Sequence, residues 1–166
     1  MRRLNAIRYV ASPSAVTEHL VLRSEDRTAS LTIDFADAES YTGAVAADVA
    51  VSADGFTGAV RSVWFQRTAL DAFDSALRRF ERDRSGSVSV CNLGVPDATN
   101  EFRLTLDARA GGHATATVSL LRVRHTRSGF SPLEVVVRFD VDGGDLDRLA
   151  RAWGKLFRER AEPPAT

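Results

Sequence analysis

Two hydrophobic patterns follow one another along this chain, and the first is the alternation of a half-buried strand. In the first half every second residue tends to be apolar in four segments, residues 18–23, 30–35, 45–53 and 56–66. Side chains in a strand point to opposite faces in turn, so this period places one apolar face on a core. The pattern therefore predicts four strands before residue 67.

The third and fourth segments are predicted to form a hairpin. Asp54-Gly55 lies between them, and this dipeptide favours a two-residue turn. The alternation becomes irregular at Val63, Trp64 and Phe65. The fourth strand is therefore expected either to carry a bulge or to be covered on both faces.

The second pattern is the helical spacing of three and four residues, which appears over residues 69–83 and 145–159. Thr68 followed by Asp71 resembles a capping box and predicts the start of the first helix. Asp145, after two glycines, is predicted to be the N-cap of the second helix.

The second half repeats the plan, with strands predicted at residues 87–93, 102–107, 113–125 and 135–141. The chain thus predicts a single α+β domain over residues 1–166, with a mostly antiparallel sheet of about eight strands and two amphipathic helices. Because residues 15–84 and 85–160 each contain four strands and one helix, the pattern favours a duplicated β4α unit.

Composition and charge narrow the classes of function. The chain has 22 basic and 22 acidic residues, 44% hydrophobic residues and 27% charged residues. This balance argues against broad attraction to nucleic acid or to an anionic membrane. No apolar segment reaches membrane-spanning length and the first residues do not resemble a secretion signal, so we expect a cytoplasmic protein.

The residue types that carry catalysis are sparse and poorly spaced. His19, His113, His125 and Cys91 show none of the ligand spacings of metal sites. Cys91, within a predicted strand, is expected to be a small core residue. The sequence therefore predicts no catalytic residue, no metal and no cofactor.

Arginines are the one notable cluster. Arg122, Arg124 and Arg127 lie on or beside one predicted strand, where they could bind phosphate or an acidic partner. The alternative is a solvated surface of arginines paired with acids. The residue pattern leaves both interpretations open.

Several short motifs occur in an order found in a known family. Gly55-Phe56 and Gly58 lie in a strand before the helix LDAFDSALRRF, and Gly112-His113 follow later. A strand, an acidic turn and an amphipathic helix complete the series. Over residues 44 to 158 the layout resembles the WapI-type immunity proteins and related actinobacterial families, with DGGDL where that family typically has DQTYL.

This resemblance implies a cytoplasmic protein that binds and neutralises a toxin domain, without catalysis. We expect the partner-binding surface near His113 and the arginine-rich strand that contains Arg122, Arg124 and Arg127. Two alternatives remain open. One is a small-molecule or lipid binding module with an apolar pocket under the sheet. The other is an enzyme whose Asp, His and Arg residues are brought together by folding.

Overall fold

The computed structural model describes residues 18–36, 43–94, 100–126 and 129–158. The first half contains β1 (Glu18–Arg23), β2 (Ala29–Phe35), β3 (Val45–Ala53), β4 (Phe56–Phe65) and α1 (Arg67–Asp83). The second half contains β5 (Ser87–Cys91), β6 (Phe102–Ala108), β7 (Ala114–Thr126), β8 (Gly129–Val141) and α2 (Gly143–Arg158). A short 3-10 turn, Ala110–Gly112, lies between β6 and β7.

The eight strands form two antiparallel sheets, ordered β1-β2-β3-β4 and β5-β6-β7-β8. The α+β class with about eight antiparallel strands and two helices is thus confirmed, with the strands divided between a first and a second sheet. Both sheets have the same strand order, and each is followed by a helix, as a duplicated β4α unit requires. A common origin of the two halves stays a prediction.

One cluster of buried side chains draws on all eight strands and both helices. Trp153 of α2 is fully buried and lies at the centre of an aromatic group, 4.7 Å from the Phe73 ring and 6.0 Å from the Phe35 ring between centroids. Its Nε1–H donates to the carbonyl of Leu70 in α1 at 3.4 Å. Cys91 is buried at the end of β5, as expected. Aromatic packing therefore joins the two helices to the first sheet.

The two sheets approach closely at Gly58 of β4. A Cβ placed on this glycine would lie 3.3 Å from Val135 Cγ1 and 3.5 Å from Leu120 Cδ1 of the second sheet. The absence of a side chain at Gly58 therefore allows β4 to pack against β7 and β8.

The hairpin and the bulge in β4 are confirmed. Asp54 and Gly55 both have positive φ, 46° and 84°, as a two-residue turn between twisted strands requires. The pairing register shifts between Ala47 and Val49, opposite Ser62, whose φ is 55°. The N–H of Ser62 donates to Asp48 Oδ1 at 2.8 Å. The bulge keeps the residues on both sides of it facing the core.

Both predicted helix caps are wrong. α1 begins at Arg67, so Thr68 lies inside the helix, and the N-cap Gln66 makes no side-chain capping bond. α2 begins at Gly143, and Asp142 is its cap: Asp142 Oδ1 accepts the N–H of Asp145 at 2.7 Å. The sequence pattern predicts a turn at Gly143 and Gly144, but both glycines belong to the helix. The Asp142 carboxylate, just before them, caps the N–H of the third helical residue.

No helix in the four described ranges is both long enough and apolar enough to cross a lipid bilayer.

Candidate functional site

β7 and β8 continue as a two-stranded ribbon beyond the end of β6. β6 ends its pairing with β7 at Phe102, opposite Leu120, whereas β7 and β8 stay paired to Thr126 and Gly129. We call residues 121–126 and 129–134 the ribbon. Six residues in each arm correspond to a length of about 20 Å.

Large apolar side chains are exposed along the ribbon and at its base. Among the described residues, three of the five exposed large hydrophobic side chains belong to β7 and β8. Val123 is 46% exposed, Leu133 is 52% exposed and Val136, at the base, is 58% exposed. The pairing register places Val123 and Val136 on one face of the strand pair and Leu133 on the other, so each face carries exposed apolar surface of the kind found at contact sites.

Among the described strands, none pairs with the outer edge of the ribbon at residues 131–134. β8 is the outermost strand of the second sheet, so half of its N–H and C=O groups point away from β7. Pro132 lies in this strand, which suits an edge position because proline has no N–H to donate. An unpaired edge beside exposed apolar side chains can accept a strand or a loop of another protein.

Two depressions border the base of the ribbon, and Leu121 and Val123 contribute to both. The larger, about 520 Å³, also contains Arg61, Ser62, Asn92, Leu93, Glu101 and Arg122. The smaller, about 400 Å³, also contains Asn100, Arg103, Ser119, Pro132 and Glu134. Within the smaller one, Ser119 Oγ donates to Glu134 Oε1 at 2.8 Å. Polar groups therefore surround the apolar side chains, as in the rim of a protein interface.

The opposite end of β7 and β8 is held by a backbone hydrogen bond and by contacts among polar and charged side chains. The backbone N–H of Glu25 donates to the carbonyl of Asp140 at 2.8 Å, and Glu25 Oε2 lies 3.4 Å from His113 Nδ1. The carboxylate of Asp140 accepts hydrogen bonds from Arg109 and, at 3.0 Å, from Thr115. These bonds, that from Arg109 first, hold the pKa of Asp140 below its usual range.

The structure separates the predicted partner-binding residues. His113 directly precedes β7, and Arg122 lies nine positions further along the chain, or about 30 Å away. Arg122 is exposed at the base of the ribbon. Arg127 and the side chain of Arg124 lie outside the described residues. Of this set, the structure therefore describes only the side chain of Arg122 beside the ribbon.

Sequence patterns missed half of the ribbon. The strand predicted at 135–141 begins at Gly129 in the structure. Its first six residues were missed because Ser131 and Pro132 do not fit the pattern of a strand. The signal that could have identified it is Leu133, an apolar residue two positions before Val135 in the same alternation.

Other kinds of site find less support in the described residues. Within the described ranges, no group of three or more His, Cys, Asp or Glu residues could hold a metal ion. Five depressions in the described surface, between about 320 and 570 Å³, each include charged side chains. The inward faces of both sheets are filled by the protein's own apolar residues.

No family model, curated protein or solved structure matches the chain. The resemblance to WapI-type immunity proteins therefore stays a prediction that depends on its short motifs.

Proposed function

We propose that this protein is a cytoplasmic, non-enzymatic binding protein of the immunity type, which neutralises a toxin domain by direct contact through the ribbon. The observation that carries the proposal is the exposure of Val123 and Val136 on one face of a strand pair, and of Leu133 on the other face, beside an edge that no described strand covers. Burial of these side chains in a partner would remove apolar surface from water, the main driving force of association.

The size of the ribbon suits this role when its base is included. A stable interface buries about 800 Å² on each partner and involves about 20–30 residues. The two six-residue arms supply roughly half of that number. Val136, Trp64 and the polar residues of the two depressions lie close enough in the fold to supply the rest, with Arg122 as a charged contact.

The alternative function, storage of a lipid or another small apolar molecule, calls for an enclosed apolar pocket of several hundred Å³. The charged side chains in each of the five depressions, and the tightly filled space between the sheets, favour protein binding over ligand storage.

Co-expression with a candidate toxin domain encoded by a neighbouring gene tests the proposal. We expect the wild-type chain to restore growth and to elute with the toxin domain from a sizing column. The double variant Val123→Asp/Val136→Asp, at two positions on the same face of the strand pair, should do neither, because each carboxylate would have to be buried unpaired in the interface.

Ser89→Asp is the matched control, since Ser89 is exposed on β5, at the other edge of the same sheet. It introduces the same group and should keep full protection. The proposal fails if the wild-type chain neither restores growth nor forms a complex, or if the double variant protects as well as the control.

A further inference from the structure

A basic depression of about 570 Å³ opens where the loop between β1 and β2 meets α2. Its lining residues are Arg23, Arg27, Ala29, Ser30 and Arg148. Arg23 and Ser30 are paired partners on β1 and β2 and lie on the outer face of the first sheet. Arg27 comes from the loop and Arg148 from α2. Three guanidinium groups thus surround one opening whose lining includes no acidic residue.

Two of these guanidinium groups are held in place by one carboxylate. Asp145 is 5% exposed; its Oδ2 accepts from Arg27 Nη1 at 3.0 Å and its Oδ1 accepts from Arg148 Nε at 3.0 Å. The side chains of Arg27 and Arg148 are still 52% and 58% exposed. Because a guanidinium group has five N–H donors, each arginine keeps donors for a further acceptor. The carboxylate therefore orients both groups without using all their donors.

The backbone at Arg27 is itself constrained. Its φ of 65° lies in the left-handed region, which is uncommon for residues other than glycine. Two hydrogen bonds hold this conformation. The N–H of Arg27 donates to the carbonyl of Ser24 at 3.0 Å, and the N–H of Thr28 donates to Asp26 Oδ1 at 3.1 Å. This turn directs the Arg27 side chain to Asp145, 118 positions further along the chain.

The positive charge is local and does not reflect the protein as a whole. The chain has no net charge, and another depression that borders the same loop contains Glu25, Asp26, Asp54 and Asp140 with one arginine. The acids that act on Arg148 are Asp145, Asp142 and Asp147, which lie at the start of α2 and do not line the depression.

We propose that this depression binds a phosphate-type oxyanion carried by a small molecule. Guanidinium groups match the paired oxygens of phosphate, and charge-assisted bonds of this kind are stronger than neutral ones. The hydroxyl of Ser30, which shares a 3.1 Å hydrogen bond with Ser52 Oγ, keeps the capacity for one more polar contact on the sheet surface. The depression shares no residue with the ribbon, so this site is independent of the protein-binding proposal.

Titration of the full chain with inorganic phosphate and with pyrophosphate, followed by NMR at the arginine Nε–H groups, tests the proposal at low salt. We expect saturable shifts at Arg23, Arg27 and Arg148, and none with acetate at equal ionic strength. Arg23→Gln should weaken binding at least about tenfold, the effect of removing one charged donor. Arg79→Gln, on the exposed face of α1, should weaken it less than about twofold, because its charge is screened by solvent.

A second variant keeps the test decisive if Arg23→Gln does not fold by circular dichroism. Ser30→Asp introduces a carboxylate among the three arginines and should abolish binding. The proposal is overturned if phosphate and pyrophosphate give no saturable shift, or if Arg79→Gln weakens binding as much as Arg23→Gln. It is also overturned if Ser30→Asp binds normally, or if only a poly-glutamate peptide shifts these groups.

Discussion

Replacement of Trp153 by phenylalanine should reveal how strongly the two helices depend on their shared aromatic group. Trp153 is completely buried, contacts the rings of Phe35 and Phe73, and donates its indole N–H to Leu70. Phenylalanine keeps an aromatic ring but removes the indole N–H and the second ring. The change therefore tests packing and one hydrogen bond without removing the whole side chain.

The expected loss of stability is about 2 kcal/mol. The missing volume, roughly 40 Å³ at about 24 cal/mol per Å³, contributes about 1 kcal/mol. The hydrogen bond, which is long at 3.4 Å, contributes about 0.5–1 kcal/mol. Small domains are stable by only about 5–15 kcal/mol, so the shift should be easy to measure while the variant still folds.

Urea unfolding followed by far-UV circular dichroism gives the free energy of unfolding for each variant. The midpoint should fall for Trp153→Phe at an unchanged m value. Trp64→Phe is the matched control, because Trp64 is 44% exposed on β4, and we expect a change within about 0.5 kcal/mol. Equal midpoints for the two variants, or a Trp153→Phe midpoint equal to the wild-type one, would refute this account of the core.

Two further changes test the approach of the sheets and the cap of α2. Gly58→Val should lower the free energy of unfolding by about 1–3 kcal/mol, because the new side chain would overpack against Val135. Ala59→Val is the control: residue 59 is exposed, so this change should have little effect in the same urea assay. The pKa of Asp142 lies below the usual 3.8, chiefly because its carboxylate accepts the N–H of Asp145. The stabilisation that Asp142 gives to the fold is therefore present above pH 3.8, and it is lost as the pH falls through the lower folded-state pKa. Asp142→Ala should therefore cost about 1 kcal/mol at pH 7 and much less in strong acid; an equal cost at both pH values would contradict this assignment of the cap.

Hydrophobic alternation was enough to predict the eight strands, because each sheet has one buried face and register follows that face. It did not predict that the strands divide into two sheets, since division depends on contacts between distant segments. One such contact is that of Gly58 with Val135. The full length of β8 was missed because Pro132 disfavours a central strand, although it fits an edge strand.

The candidate sites were harder to predict than the fold. Arginine spacing drew attention to Arg122, and the structure does place this residue at the base of the ribbon. The basic depression has no local signal, because Arg23 and Arg27 meet Arg148 only after α2 packs beside the loop between β1 and β2. The spacing of residues along the sequence cannot predict a cluster whose members are so far apart in the chain.

The central proposal is that the apolar side chains of the ribbon contact a toxin domain, and calorimetric titration with a purified candidate toxin domain tests it most directly. Val123→Asp should weaken binding at least about thirtyfold, as expected for a side chain at the centre of an interface. Ser89→Asp should keep the wild-type affinity within about threefold, like other substitutions outside an interface. If both variants bind as tightly as the wild-type protein, the ribbon is not the contact surface.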